Sequence, residues 1–226
     1  MFKMIATRLR QGCRTLSFPK GERPVLPPRY RGRPIVAGQG QELDLGRMTF
    51  IPDPGVTYST DFRMACSRRE DLVLRGHEQQ LARALNREMR AIFGRSLKLR
   101  YVSAGGCNAC EADFNVLNTP VFDLGRFGIQ CVASPRHADG IIVSGPVPRN
   151  MKEALLKTYE AVPDPKIVIA LGTCAVSGGI FAESPEASHG LDTFMPVDLY
   201  IPGCSPHPLT ILDGLLRLLG RIREAR

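Results

Sequence analysis

The apolar positions of this chain follow two regimes that meet near residue 95. From Leu97 onward, short apolar runs alternate with amphipathic stretches. Leu97 to Ser103 reads as a strand that ends at Gly105 and Gly106, and Phe127 to Ala133 as a second. Gly140 to Ser144, within DGIIVSGP, and Lys166 to Leu171 are apolar runs between turn residues, as buried parallel strands require. Asp198 to Ile201 is a further strand. Between these runs, Cys110 to about Leu117 opens a helix, and Asn150 to Ala161 places Leu155, Leu156 and Tyr159 on one helical face. Pro208 to Ile222 is a closing amphipathic helix. Strands alternating with crossovers of this length predict an α/β region built on a mostly parallel sheet.

Ahead of that region the periodicity is weak. Pro19, Pro24, Pro27, Pro28 and Pro34 alternate with Arg and Gly. This pattern opposes helix and sheet interior and suits an extended strap, expected to lie on neighbouring subunits rather than fold alone. Met1 to about Cys13 reads as a short amphipathic helix, with apolar Phe2, Met4, Ile5 and Leu9 beside basic Lys3, Arg8 and Arg10. It suits a membrane surface, a groove on another subunit, or an ordinary frayed terminus. Ile51 to Asp61 reads as loop. His77 to Phe93 is expected as one helix, with Leu81, Leu85, Met89 and Ile92 on a face that meets core or a subunit, and Gly94 as its stop.

Composition narrows the picture. The 226 residues are 43% hydrophobic, enough for a core, yet no apolar run approaches the roughly 20 residues that span a bilayer. The basic N-terminus has no long apolar stretch and no small-residue cleavage site, so no secretory signal is read. The net charge of +8 is either plain solvated surface or, the preferred reading, a match for acidic protein subunits or anionic lipid headgroups. No basic stretch is interleaved with aromatics, so no nucleic-acid partner is expected. Seven cysteines without a secretion signal favour reduced thiols and metal ligands over disulfides.

Four of those cysteines lie in Gly- or Pro-containing loops after strands: Cys107 and Cys110 in GGCNACEAD, Cys174 in ALGTCAVSGG, Cys204 in IPGCSPHP. Ligands of an open parallel sheet gather outside the carboxyl ends of its strands, so these loops are placed to converge at one edge. Three readings stand. Four thiolates suit one iron–sulfur cluster, with glycines letting backbone amides approach its sulfurs. They also suit zinc, although structural zinc usually joins two close ligand pairs. Cys107-Asn-Ala-Cys110 alone suits a redox dithiol at a helix start, which leaves Cys174 and Cys204 unexplained. Cys131 is expected as a buried small hydrophobe inside a strand. Cys13 and Cys66 receive no chemistry. His137 and His207, near the ligand loops, are read as structural hydrogen-bonders. Glu111 and Asp113 either meet a partner or decorate a helix start.

The segment GGCNACEADFNVLNTPVFDLGRFGIQCVASPRHADGIIVSGPV, with VIALGTCAVSGGIF and VDLYIPGCSPHP, resembles a known family. It is that of the small subunit of membrane-bound, group-4 nickel–iron hydrogenases and the B subunit of respiratory complex I. The resemblance covers roughly residues 97 to 220. It implies one 4Fe–4S cluster on Cys107, Cys110, Cys174 and Cys204. The two-residue spacing of the first pair resembles the hydrogenase side, since complex I has two adjacent cysteines there. Arg136, in SPRHAD, matches an arginine that lies close to the family's cluster; a surface salt bridge is the other reading. The resemblance implies a large catalytic partner, either nickel–iron hydrogenase-like or its quinone-site relative. It also implies other peripheral and membrane subunits, and a peripheral place on the cytoplasmic side of the membrane.

A second resemblance covers the N-terminal part. MFKMIATRLRQG, FPKGERPVLPPRYRGRPIV, LDLGRMTF and SRREDLVLRG are similar to pieces of the two-cluster ferredoxin subunit of the same complexes. Cysteine motifs would follow RGRPIV there and occupy the position after LDLGR, where this chain has Met48. The resemblance therefore implies a ferredoxin subunit that lost both clusters, with electron entry absent or moved to another protein. The expected architecture is α/β, a flavodoxin-like parallel sheet flanked by helices. An extended irregular arm over 1–75 precedes a cluster-binding unit over 76–226. The expected function is single-electron relay in a hydrogenase-like complex. Its rivals are complex I-like quinone reduction and a cluster-free scaffold.

Overall fold

The computed structural model describes residues 2–22, 24–35, 42–51, 55–75 and 79–222. Parts of four expectations lie outside these: Met1 of the first helix, Val36 of RGRPIV, residues 52–54 of the loop, and His77 with the boundary at residue 76.

Helix α1 (Phe2–Gln11) opens the chain. Short strands β1 (Pro34–Ile35), β2 (Glu42–Asp44), β3 (Thr57–Tyr58) and β4 (Val73–Arg75) follow. They pair antiparallel among themselves, β1 with β3 and β2 with β4. Then come α2 (Arg87–Phe93), β5 (Leu97–Ser103), α3 (Ala109–Val116), β6 (Ile129–Cys131) and β7 (Gly140–Ser144). The chain continues through α4 (Arg149–Glu160), β8 (Ile167–Leu171), α5 (Thr173–Ser177), β9 (Leu199–Ile201) and α6 (Pro208–Leu218). Strands β5 to β9 form one parallel sheet in the order β6-β5-β7-β8-β9. This is the flavodoxin-like 2-1-3-4-5 winding, with its switch point between β5 and β7.

The sheet is buried on both faces, as an all-parallel sheet must be. Odd–even alternation divides its side chains. Leu97, Leu99, Ile142, Ile167, Ile169, Leu199 and Ile201 pack with α3 and α6 through Phe114, Leu209, Leu212 and Leu216. Ile141, Val143, Val168, Ala170 and Tyr200 face the other way, toward Leu155 of α4 and Ala175 and Val176 of α5. On this second face Leu45, Met48, Met64, Leu72 and Leu74 complete the layer. The N-terminal segment thus buries much of its apolar content in its own chain. It also closes a sheet edge: Cys66 and Tyr200 exchange both backbone hydrogen bonds, at 3.0 and 2.9 Å, beside β9. Capping an edge strand in this way removes a template for unwanted pairing.

Two local expectations are corrected. The helix expected over 77–93 begins only at Arg87. Asn86 caps it through Oδ1, which accepts from Met89 N at 2.8 Å. Upstream, the Ala82 and Leu85 amides donate to Ala65 and Leu218 carbonyls, so tertiary bonds override the helical period. Phe93 takes the core position and Ile92 is exposed. Cys131 lies in β6 but is exposed rather than buried, because β6 is an edge strand.

Candidate metal centre

Each cysteine loop leaves the carboxyl end of a parallel strand: Cys107 and Cys110 after β5, Cys174 after β8, Cys204 after β9. Turn chemistry shapes each exit. Gly105 (φ +72) and Asn108 (φ +70) bend the chain after β5 so that α3 starts at Ala109. Gly172 (φ +83) precedes α5, two residues before Cys174. Backbone bonds join the second and third loops: Gly172 N donates to Ile201 O at 2.8 Å, and Thr173 N to Gly203 O at 2.9 Å.

The four sulfurs sense one another. Burial, foremost, and then the charges of Cys174, Cys204 and Cys107 push the Cys110 thiol up to about 12. Burial, then Cys204 and Cys107, push Cys174 up to about 11. Neighbouring sulfurs thus disfavour the Cys110 and Cys174 thiolates, a penalty that a cationic centre would relieve, since a coordinating thiol is deprotonated outright. Cys107 is exposed and the other three are half-buried. Glycine keeps the space open: a Cβ on Gly172 would meet Cys110 Sγ at 2.5 Å, and one on Gly179 would meet Cys174 Sγ at 2.9 Å. Among the described residues, no three His, Cys, Asp or Glu side chains close around a single ion. A donor set of four thiols from three glycine-lined loops fits a polynuclear iron–sulfur group.

The surroundings are built from both parts of the chain. Thr173 Oγ1 donates to Met48 O at 2.5 Å, and Ser177 Oγ donates to Gly46 O at 2.6 Å. Gly46 sits in a turn over Leu45–Arg47 whose cap, Asp44, accepts from Gly46 N and binds Arg69 through both oxygens, at 2.9 and 2.6 Å. The Cys174 helix is therefore fixed by the N-terminal segment. Near Cys204 a cavity of about 260 Å³ is lined by Arg29, Tyr30, Arg31, Met48 and His207. Here Ser205 Oγ donates to Asp113 of α3. His207 caps α6, with Nδ1 accepting from Leu209 N at 3.2 Å and its ring edge-on to Tyr30 at 5.1 Å. Burial pulls its pKa down.

Arg136 and His137 are exposed in the turn after β6. Glu111 is half-buried in the first turn of α3. Cys13 is exposed, whereas Cys66 is buried, and that burial raises its thiol to about 12. Sequence reasoning missed Thr173, Ser177, Met48 and Gly46 as supports of the site. The only signal was a pair of hydroxyls flanking Cys174, four residues apart.

The family model described as NADH ubiquinone oxidoreductase, 20 Kd subunit, matches residues 107–218. A probable membrane-bound hydrogenase subunit, mbhJ, of Pyrococcus furiosus is 44% identical over 132 residues, which is 58% of this chain and 79% of that relative. The NADH-quinone oxidoreductase B subunit of Carboxydothermus hydrogenoformans is 43% identical over 122 residues, or 54% and 74% of the two chains. A chain of the membrane-bound sulfane sulfur reductase, an archaeal respiratory membrane complex, superposes with a TM-score of 0.52 at 35% identity, over 60% of this chain and 75% of that one. These matches agree with the cysteine edge and the 2-1-3-4-5 sheet: the chain belongs to the family of the 20-kilodalton NADH:ubiquinone oxidoreductase subunit, which joins group-4 hydrogenase subunits to complex I B subunits, and is a subunit of an oxidoreductase complex.

Proposed function

We propose that this chain is the electron-transfer subunit of a membrane-associated, hydrogenase-like complex, and that Cys107, Cys110, Cys174 and Cys204 hold one 4Fe–4S cluster. The observation that carries this reading is the convergence of four thiols, from three strand-end loops, at one sheet edge. When bound, such a cluster accepts and passes on single electrons. The chain's own residues set its surroundings. Gly172 and Gly179 admit it beside Cys110 and Cys174, and the bonds from Thr173 and Ser177 hold the Cys174 turn in place. Asp113 and Ser205 tie α3 to the Cys204 loop.

A large catalytic subunit, nickel–iron hydrogenase-like or its quinone-site relative, covers this edge in our reading. Exposed Cys107 supports it, as do Ile180 and Phe181, which stand 53% and 44% exposed just beyond Cys174. The Cys-x-x-Cys spacing favours the hydrogenase side, and a partner carrying two Cys-x-x-Cys pairs of its own would establish it. Relatives named as membrane-bound support a peripheral place for the chain, which we put on the cytoplasmic side; among the described residues no helix is long and apolar enough to cross a membrane. We also propose the division into an arm over 1–75, a ferredoxin-subunit remnant without clusters, and a cluster-binding unit over 76–226. Its support is that, among the described residues, β1 to β4 pair only with one another.

The test is metal and sulfide analysis of protein purified without oxygen, alongside electron paramagnetic resonance of the reduced form. About four irons per chain and a cluster signal are expected. One zinc per chain with no visible absorbance would overturn the assignment.

A further inference from the structure

We propose that α1 is an interfacial anchor: a cationic amphipathic helix that lies on an anionic phospholipid surface. Three of its apolar residues, Phe2, Ile5 and Leu9, recur at i, i+3 and i+7 and form one stripe, while exposed Met4 falls on the opposite face. They are 89%, 51% and 79% exposed, and no residue of the helix is buried. At 100° per residue Lys3 and Arg10 flank one side of the stripe and Arg8 the other. No acidic residue precedes Glu22, whereas Lys3, Arg8, Arg10, Arg14 and Lys20 are all cationic.

That arrangement selects the occupant. A planar lipid interface accepts a narrow apolar stripe and offers phosphates on both of its sides, where Lys and Arg stems reach upward. Ten residues make a helix of about 15 Å, too short to cross a bilayer but long enough to lie on one. So small a stripe binds weakly by itself, and the attraction of anionic headgroups to its cations supplies the rest.

The helix is also leashed to the body at a fixed place. Gly12 (φ +65) ends it, donating to Arg8 O at 3.1 Å. Thr15 Oγ1 then donates to Pro120 O, and Leu16 N to Val121 O, each at 2.8 Å. Arg126 holds the Leu16 and Phe18 carbonyls, and the Phe18 ring packs edge-on to Phe62 at 5.6 Å. Lipid bound to α1 therefore draws the surface around residues 116–127 toward the bilayer, where Val116 and Val121 are also partly exposed. This inference is independent of the cluster assignment, since a chain without iron would bind lipid equally well.

The experiment is flotation of the full chain with vesicles of phosphatidylcholine, with and without phosphatidylglycerol. Binding is expected to the anionic vesicles, to weaken with added salt, and to fall roughly tenfold or more on neutral ones. Ile5→Glu and Leu9→Glu should each weaken it by a further tenfold or so. Both side chains touch solvent, so the circular dichroism spectrum should be unchanged. Equal binding to neutral vesicles, or undiminished binding by Leu9→Glu, would overturn the proposal. So would a chain that ignores lipid and whose Leu9→Glu variant fails to join its complex, because that would put protein on this face.

Discussion

Every residue of β7 and β8 is buried and has a parallel partner in register, whereas between residues 42 and 75 the longest strand has three residues. Both regions nevertheless contribute side chains to the same core layer. The sheet holds itself by a repeating ladder. The N-terminal segment is held by individual fastenings: the Asp44–Arg69 pair, the carbonyls of Gly46 and Met48, and the edge bonds of Cys66. The first kind of cohesion is visible as periodicity, and the second is not. The second kind reaches the turn that carries Cys174, so a region with little repetitive structure braces part of a site that the sheet positions.

The largest test of that contrast is truncation. A fragment of residues 76–226 loses Leu45, Met48, Met64, Leu72 and Leu74 from its core. At about 1.5–3 kcal/mol for each buried side chain, the loss matches a typical total stability of about 5–15 kcal/mol. The fragment is expected to be insoluble alone and to be rescued by coexpression with residues 1–75. A soluble, cooperatively melting fragment would show that the segment is dispensable.

Replacing Cys174 by Ser comes next. The expected outcome is loss of electron transfer through the assembled complex, read as turnover with an artificial donor or acceptor. Full turnover in a complex shown to lack the cluster would mean that electrons take another route.

A pair of glycines sharpens the comparison further. Alanine at Gly172 would press on Cys110 Sγ at a positive φ, with little room to yield. We expect a cost of about 1–3 kcal/mol and reduced iron content. Alanine at Gly46 meets Arg69 Cζ at 2.8 Å and Val176 Cγ1 at 2.9 Å, side-chain atoms rather than a cysteine sulfur, and at no positive φ. Iron content should survive there. Equal iron loss in both variants would erase the distinction between ladder and fastening.

Removing one fastening should cost less than breaking the layer. Thr173→Val leaves the Met48 carbonyl buried without its donor, an expected loss of about 1–3 kcal/mol in denaturant titration, and Ser177→Ala should behave alike through Gly46. If the two hydroxyls are independent, their effects add.

Acid supplies the mildest test. Burial by itself would raise the Asp61 carboxyl, but hydrogen bonds and charge from Arg63, with charge from Arg33, outweigh it and hold the group below the usual carboxylate range. Its contribution is therefore complete above the unfolded value of about 4 and is lost as pH falls through the lower folded value. Melting temperature should drop with acidification below about pH 4, less steeply in Asp61→Asn.

These contrasts also explain what the sequence made legible. β7, β8, α4 and α6 follow from apolar runs and helical periods within short windows. The meeting of the cysteine loops follows from a topological rule that needs only the strands. The late start of α2 was hidden, because the Ala82 and Leu85 amides are satisfied by Ala65 and Leu218, residues with no mark in the local pattern. Cys131 was misjudged because an edge strand and an interior strand read alike. The role of Met48 was legible only as the absence of a cysteine, while its backbone carbonyl, which no side-chain pattern reports, supports Thr173.

The two hydroxyl fastenings also impose an order on biogenesis. Thr173 and Met48 are 125 residues apart in the chain, and Ser177 and Gly46 are 131 apart. During synthesis the segment that braces the Cys174 turn emerges long before the turn exists, and must wait for β8 and α5 to leave the ribosome. Cys204 emerges later still. Closure of the edge is therefore expected late in folding, because its contacts span long loops. If the proposed cluster is installed before that closure, iron and sulfide meet a chain whose final wall is still open.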